Sequence, residues 1–340
     1  MKAVQYRAFG QRPELVEVEK PSPGPGEVLL RITASGLCHS DEVVMSFPEE
    51  GYPYPMPMTL GHEPAGVVEQ LGEGATGVEV GDSVIVYGCW GCGVCTMCAS
   101  GRENLCLTGM VSPGLGVDGA MAEHMIVDSV RHLVPIGDLD PVRAASLTDA
   151  ALTPYEAIKK VQHHLLGGST AVVIGAGGLG HVAIQLLRTL TSARVIALDV
   201  GDEKLAFAKE VGAHEVLESN ADAAGKVKEM TGGVGADVVF DFVGIDPTGA
   251  TATAAVRVAG AVVVVGAGGG SAKVGLLSAP YDVEVRTSLW GRRSSLIELV
   301  EMAKRGEIRI ETKEYPIDDA LQAYADLHDG KVRGRAVVVP

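Results

Sequence analysis

The stretch Ala171-Val172-Val173-Ile174-Gly175-Ala176-Gly177-Gly178-Leu179-Gly180 decides the fold. Four apolar residues read as a buried strand. A G-x-G-x-x-G turn follows at once, and Leu179–Leu190 then continues with helical spacing. In such a strand–turn–helix the first glycine permits the tight turn and the second lets backbone approach a pyrophosphate. The third allows close helix–strand packing. The helix N-terminus then offers unpaired N–H groups and a positive dipole end to phosphate. A glycine turn serving packing alone is the rival reading. Asp199 weighs against it, because it ends the next strand 24 residues after Gly175, where a carboxylate accepts from ribose hydroxyls and repels a 2′-phosphate. NAD is therefore expected over NADP, although a solvated strand-end acid or helix cap would look the same at Asp199.

Outward from this motif the same grammar continues. Arg194–Leu198, Asp237–Phe242 and Ala261–Val265 are further apolar runs, with a helical pattern at Glu203–Val211. Strand–helix alternation with continuous apolar strands predicts a doubly wound parallel sheet over 152–291. Gly266–Gly270 imitates the phosphate turn, but Ser271 stands where its third glycine should be and no helix pattern follows. It is expected to be a loop at a strand end. Residues 1–151 read differently. Glu27–Ala34, Ala65–Leu71, Asp82–Tyr87 and Ala122–Val127 are short β-rich runs broken by Gly and Pro, the pattern of an antiparallel barrel. The tail 292–340 shows one amphipathic helix and a strand, Ala336–Val339, expected to return to the first domain. Ala261–Val265 is expected near a sheet edge used in assembly.

Composition bounds the rest. Of 340 residues, 46% are hydrophobic and 21% charged, which excludes a disordered or fibrous chain. The 44 glycines carry no every-third-residue period, and suit a fold of tight turns. A net charge of −15 without any basic block argues against nucleic acid or an anionic membrane as partner. No apolar run approaches the roughly 18 residues of a membrane span, and no signal segment precedes the first strand. A soluble, cytoplasmic protein is expected.

Five of the six cysteines lie between Cys89 and Cys106. Cys92-x2-Cys95-x2-Cys98-x7-Cys106 supplies four thiolates, enough to close a tetrahedral zinc shell with no position left for substrate. Such a metal would be structural. Disulfides or an iron–sulfur cluster are the rivals, and Cys89 is left as a free thiol. A second, dispersed set comprises Cys38, His62-Glu63 and Asp149. Each alone reads as an ordinary core or capping residue; beside a nucleotide fold and a cysteine lobe, they suggest an open zinc site with three protein ligands.

These motifs, in this order, resemble the zinc-dependent medium-chain alcohol dehydrogenases over essentially the whole chain, and especially the bacterial NAD-dependent secondary alcohol dehydrogenases. The resemblance implies a GroES-like catalytic domain (1–151 and 292–340, with a structural-zinc lobe at 89–106), a Rossmann NAD domain (152–291) and an active site in the cleft between them. It implies two zinc ions per subunit and a homodimer or homotetramer. Cys38, His62 and Asp149 match the catalytic zinc ligands; Glu63 matches a nearby carboxylate able to approach the metal. Asp41 matches the acceptor that orients His62, and Ser40 the proton acceptor. Lys204 matches a ribose contact, Arg333 a pyrophosphate contact with His39 as another, and Thr153 and Val243 positions near the nicotinamide. Val43, Tyr54, Leu115, Leu289 and Trp290 match the substrate pocket. Asp149 stands where the animal enzymes carry Cys, a swap that keeps the charge. Val43 stands where many relatives carry the histidine that ends the proton relay. The activity implied is reversible oxidation of small to medium secondary alcohols to ketones, with aldehydes as further substrates. Polyol or threonine dehydrogenases of the same fold, or a redox-inactive zinc- or NAD-binding protein, are the alternatives.

Overall fold

The computed structural model describes all residues 1–340, which form two compact units: Met1–Leu152 with Gly291–Pro340, and Thr153–Trp290.

In the first unit the strand Val28–Gly36 is the organiser. It pairs antiparallel with Glu63–Leu71, with His124–Val127 and with Arg335–Val339 near the chain's end. Ser83–Val86 and Leu133–Pro135 extend the sheet on one side, and Thr312–Pro316 on the other. A smaller sheet orders Glu14–Glu17, Lys2–Tyr6 and Met58–Thr59. Alternation along Val28–Gly36 explains the burial: Arg31 is exposed, while Leu30 and Ile32 enter a core with Val68, Val84 and Met125. This is the antiparallel β domain that the short, turn-punctuated runs predict.

The tail holds more than its sequence pattern suggests. The expected single helix is two, Arg293–Lys304 and Ala320–His328, with the strand Thr312–Pro316 between them. The second helix is short, and three alanines dilute its apolar signal, yet Ala320, Ala323, Tyr324 and Leu327 all face the core at helical spacing.

In the second unit six parallel strands lie in the spatial order Glu215–Glu218, Arg194–Asp199, Thr170–Ile174, Ala236–Asp241, Val256–Val264, Glu284–Thr287. In chain order that is 3-2-1-4-5-6, the doubly wound arrangement whose direction reverses beside the first strand. Val172, Ile196 and Val239 stand side by side in register and fully buried, so continuous apolar runs were required here rather than alternating ones. Val256–Val264 is flanked on both sides and lies next to the edge, one strand in from it. Glu284–Thr287 is the edge itself, its polar, largely exposed sequence giving little strand signal. Gly266–Gly270 follows a strand and leads into no helix, as expected. No helix is long and apolar enough to cross a membrane.

Candidate active site

In the first unit three segments far apart in sequence meet. Cys38 precedes the helix His39–Ser46, His62 immediately precedes the strand Glu63–Leu71, and Asp149 ends the short turn Ser146–Thr148. All three side chains are buried, and their ligand atoms lie within 4.8 Å of one another. Asp149 Oδ2 is 3.5 Å from Cys38 Sγ and 3.8 Å from His62 Nε2. A tetrahedral zinc with bonds of about 2.0–2.3 Å separates its ligands by roughly 3.4–3.6 Å. One thiol, one imidazole and one carboxylate, all removed from water, are a donor set that fits zinc and supplies two negative charges against its two positive ones.

The orientation of His62 follows from local sequence. Asp41, at the third position of its helix, folds back to accept from the Cys38 backbone N–H at 3.4 Å, as in a capping box. Its other oxygen lies 3.0 Å from His62 Nδ1. Tyr324, from the tail helix, donates its hydroxyl to Asp41 at 3.2 Å. Burial pushes the Tyr324 phenol well above its usual range, reinforced by the Asp41 charge, so it stays a donor. With Nδ1 committed to Asp41, Nε2 is the nitrogen that faces Asp149. Burial alone would lower the His62 pKa, but the Asp41 charge and bonds from Asp149, Asp41 and Cys38 together raise it well above the ordinary value.

Glu63 does not stand open to the cluster. The buried guanidinium of Arg335 grips it through both Nη2 and Nε, the latter at 3.1 Å, and Nη2 also reaches Asp149 at 3.0 Å. Burial pushes the Glu63 carboxyl up, against the opposing pull of Arg335. Neither Arg335 nor Tyr324 is visible as a site residue in the sequence. A basic residue heading an apolar strand and a tyrosine on a helix face look ordinary until the tail folds back. Ser40 lies beside the cluster, its Oγ 3.4 Å from Cys38 Sγ. His39 and Arg333 are exposed. Val43 is exposed on the helix His39–Ser46, and Leu115 is half-buried against the core that holds Leu37 and Met121. Tyr54 meets Tyr52 edge-on at 5.7 Å and covers Gly116.

The four cysteines Cys92, Cys95, Cys98 and Cys106 converge in the same unit, with sulfur atoms within 4.8 Å. Cys92 Sγ and Cys98 Sγ are 3.9 Å apart, close to the roughly 3.8 Å edge of a tetrahedron of zinc–sulfur bonds. Backbone N–H groups of Cys95 and Val94 pull the Cys92 thiol down to about 6, toward the thiolate a metal needs. All six cysteines are free thiols, and Cys89 is fully buried apart from the four.

In the second unit the glycine turn caps the central strand at the topological switch. A Cβ on Gly180 would stand 1.7 Å from the Gly175 carbonyl oxygen, so only glycine permits this helix–strand approach. A Cβ on Gly177 would meet nothing within 4 Å, which leaves the backbone open to a bulky anion. Gly178 and Leu179 complete the turn ahead of the helix Gly180–Leu190. Asp199 accepts from Ala176 N–H at 2.6 Å and from Val200 N–H at 2.7 Å. A carboxylate offers about four acceptor directions, so capacity remains for ribose hydroxyls. Lys204 Nζ stands 3.9 Å from its Oδ1. Val243 packs over Gly175, at the end of the adjacent strand. Thr153 and Trp290 are buried, whereas Leu289 is exposed.

Residues 24–138 match the alcohol dehydrogenase GroES-like domain, and residues 178–305 the zinc-binding dehydrogenase family. A D-arabinose 1-dehydrogenase (NADP(+)) of Saccharolobus solfataricus is 32% identical, over 100% of this chain and 97% of its own. An NAD-dependent alcohol dehydrogenase of Sulfurisphaera tokodaii is 34% identical over all of both chains. The crystal structure of an alcohol dehydrogenase from Aeropyrum pernix covers both chains completely, with 35% identity and a TM-score of 0.94.

Proposed function

The chain belongs to the zinc-binding alcohol dehydrogenases with a GroES-like domain, and on that premise we propose that it interconverts secondary alcohols, aryl-alkyl ones included, and their ketones, with aldehydes as further substrates and NAD as hydride carrier. The observation that carries this reading is the buried meeting of Cys38, His62 and Asp149 with the Ser40 hydroxyl beside them.

Cys38, His62 and Asp149 would hold zinc, which when bound supplies Lewis acidity that lowers the pKa of an alcohol and polarises a carbonyl. Cys92, Cys95, Cys98 and Cys106 would hold the second, structural ion. Asp41 fixes the His62 tautomer, and Arg335 holds Glu63 and Asp149 in place. Ser40 takes the hydroxyl proton of the alcohol and passes it toward solvent; NAD held at Gly175–Gly180 would supply the hydride acceptor. In the dinucleotide site, Gly175–Gly180 would receive the pyrophosphate, and the family resemblance gives Arg333 and His39 as its further contacts. Asp199 and Lys204 bind the adenosine ribose, and the Asp199 charge disfavours a 2′-phosphate. Thr153 and Val243 border the nicotinamide. By the family resemblance Val43, Tyr54, Leu115, Leu289 and Trp290 would belong to the substrate pocket, and the largely apolar character of this set favours alkyl and aryl groups over a hydroxylated chain.

The enzyme works in the cytoplasm as a homodimer or homotetramer, a reading supported by six free thiols and an unpaired sheet edge. The strongly acidic chain has a small molecule, not nucleic acid or a membrane, as its partner.

A panel of 1-phenylethanol, cyclohexanol, D-arabinose, sorbitol and threonine with NAD and NADP, followed by nicotinamide absorbance, tests the proposal. Turnover of the first two with NAD is expected. Preference for D-arabinose or sorbitol would shift the assignment to a sugar or polyol dehydrogenase, as the arabinose dehydrogenase relative allows. His62→Ala should abolish turnover and remove one zinc per chain while leaving NADH fluorescence titrations unchanged. Unchanged turnover in that variant sinks the assignment.

A further inference from the structure

Within the unit Thr153–Trp290, two adjacent histidines stand against a glutamate 120 residues further along the chain. His163 and His164 lie in the 3-10 turn Gln162–His164, which ends the helix Leu152–Val161. Glu284 is the first residue of the edge strand. Its Oε1 is 3.4 Å from His164 Nε2 and 3.7 Å from His163 Nε2. The two imidazole centroids are 4.2 Å apart, and one ligand atom from each of the three side chains lies within 4.8 Å of the others.

These separations are long for imidazole–carboxylate hydrogen bonds, which run at about 2.7–3.2 Å. They match the edge of a tetrahedron around a metal with bonds of about 2.0–2.2 Å, which is roughly 3.4 Å. The second carboxylate oxygen is already held, since Arg286 donates to Glu284 Oε2 from Nε at 3.0 Å and from Nη2 at 2.7 Å. That grip fixes the carboxylate with Oε1 presented to both rings. The His163 side chain is 59% exposed and that of Glu284 37%, so an ion can enter and water can complete its shell. Two imidazoles with one carboxylate suit zinc, nickel or copper, and not magnesium or calcium, which want oxygen throughout.

We propose that His163, His164 and Glu284 form a third metal site, taking one divalent transition ion and tying the end of the helix Leu152–Val161 to the sheet edge. Water exposure and the positive Arg286 make it weaker and more exchangeable than the two buried or all-cysteine sites. It is independent of the reaction proposed above.

The zinc-replete protein is titrated with nickel chloride by calorimetry, and bound metal is counted by mass spectrometry after gel filtration. Wild type is expected to take up one additional nickel per chain and to gain thermal stability with it. His163→Ala/His164→Ala should lose that uptake, and Glu284→Gln, which preserves shape, should weaken it by roughly tenfold or more. Equal uptake by the double variant and wild type, or no additional nickel in wild type, overturns the proposal. So does full-affinity binding in a folded Glu284→Gln protein. Because the readout is metal uptake rather than turnover, neither result depends on the dehydrogenase assignment.

Discussion

Arg335 heads the strand Arg335–Val339 and points its guanidinium at the buried acids of the site. It is 2% exposed and faces two carboxylates, Glu63 and Asp149. Arg335→Met would roughly keep the volume while removing the guanidinium from the buried Glu63 and from Asp149. Removing one member of a buried ion pair costs about 3–5 kcal/mol, and urea denaturation of the variant should show a loss of that order. Zinc at Cys38, His62 and Asp149 should also become easier to remove, measured as release to a chelator. The raised His62 pKa sets a pH dependence. In the metal-free chain the protonated imidazole between Asp41 and Asp149 adds stability that is complete below its unfolded pKa of about 6.5 and is lost as pH rises through the higher folded value. Zinc needs the neutral ring, so its binding competes with that proton. Zinc affinity of the stripped chain should therefore climb with pH across neutrality, and flat affinity from pH 6 to 8 (by chelator competition, about two orders in proton activity) would contradict this account. Cys38, His62 and Asp149 are legible only in combination, beside the cysteine lobe and the nucleotide motif, since each alone reads as an ordinary core or capping residue. Arg335 and Tyr324 are not legible, since only the paired fold reveals what a strand-end arginine or a helix tyrosine touches.

At the scale of elements, the nucleotide turn is the most rigidly specified piece. Its apolar strand, glycine spacing and following helix agree with one another, and the strand ends in the stated place. Gly180→Ala should test the close approach directly. Its added carbon must displace the Gly175 carbonyl, with an expected cost of about 1–3 kcal/mol and a marked fall in NADH affinity. Normal NADH binding in that variant would show that the turn has slack. Elements lacking such agreement escaped the sequence. The edge strand Glu284–Thr287 reads as polar loop because one side of it meets no other strand. The helix Ala320–His328 carries half of its buried periodicity in alanines, whose burial leaves little trace in hydropathy. Both errors have one cause: weakly apolar segments are held by neighbours rather than by their own pattern.

At the scale of the whole molecule, charge and assembly set the questions. A net charge of −15 repels anions in general, so a dinucleotide must be held by local features, the helix N-terminus and a few cations, and its affinity should not collapse with salt as nucleic-acid binding does. In the segment that precedes the edge strand in sequence, Leu276 and Leu277 are 80% and 93% exposed, an adjacent pair of large apolar side chains left in water. If copies associate there, Leu277→Asp should shift light scattering toward the monomer without changing far-UV circular dichroism; an unchanged mass would move the interface elsewhere. The placement of Arg335–Val339 beside Val28–Gly36 has a further consequence for biosynthesis. At about 5–20 residues per second, the ribosome needs on the order of ten to forty seconds after residue 152 to deliver Arg335. Through that interval Glu63 and Asp149 lack the Arg335 guanidinium and the central strand lacks one neighbour. The contacts of Arg335 with Glu63 and Asp149 therefore form only after the strand Arg335–Val339 has been translated.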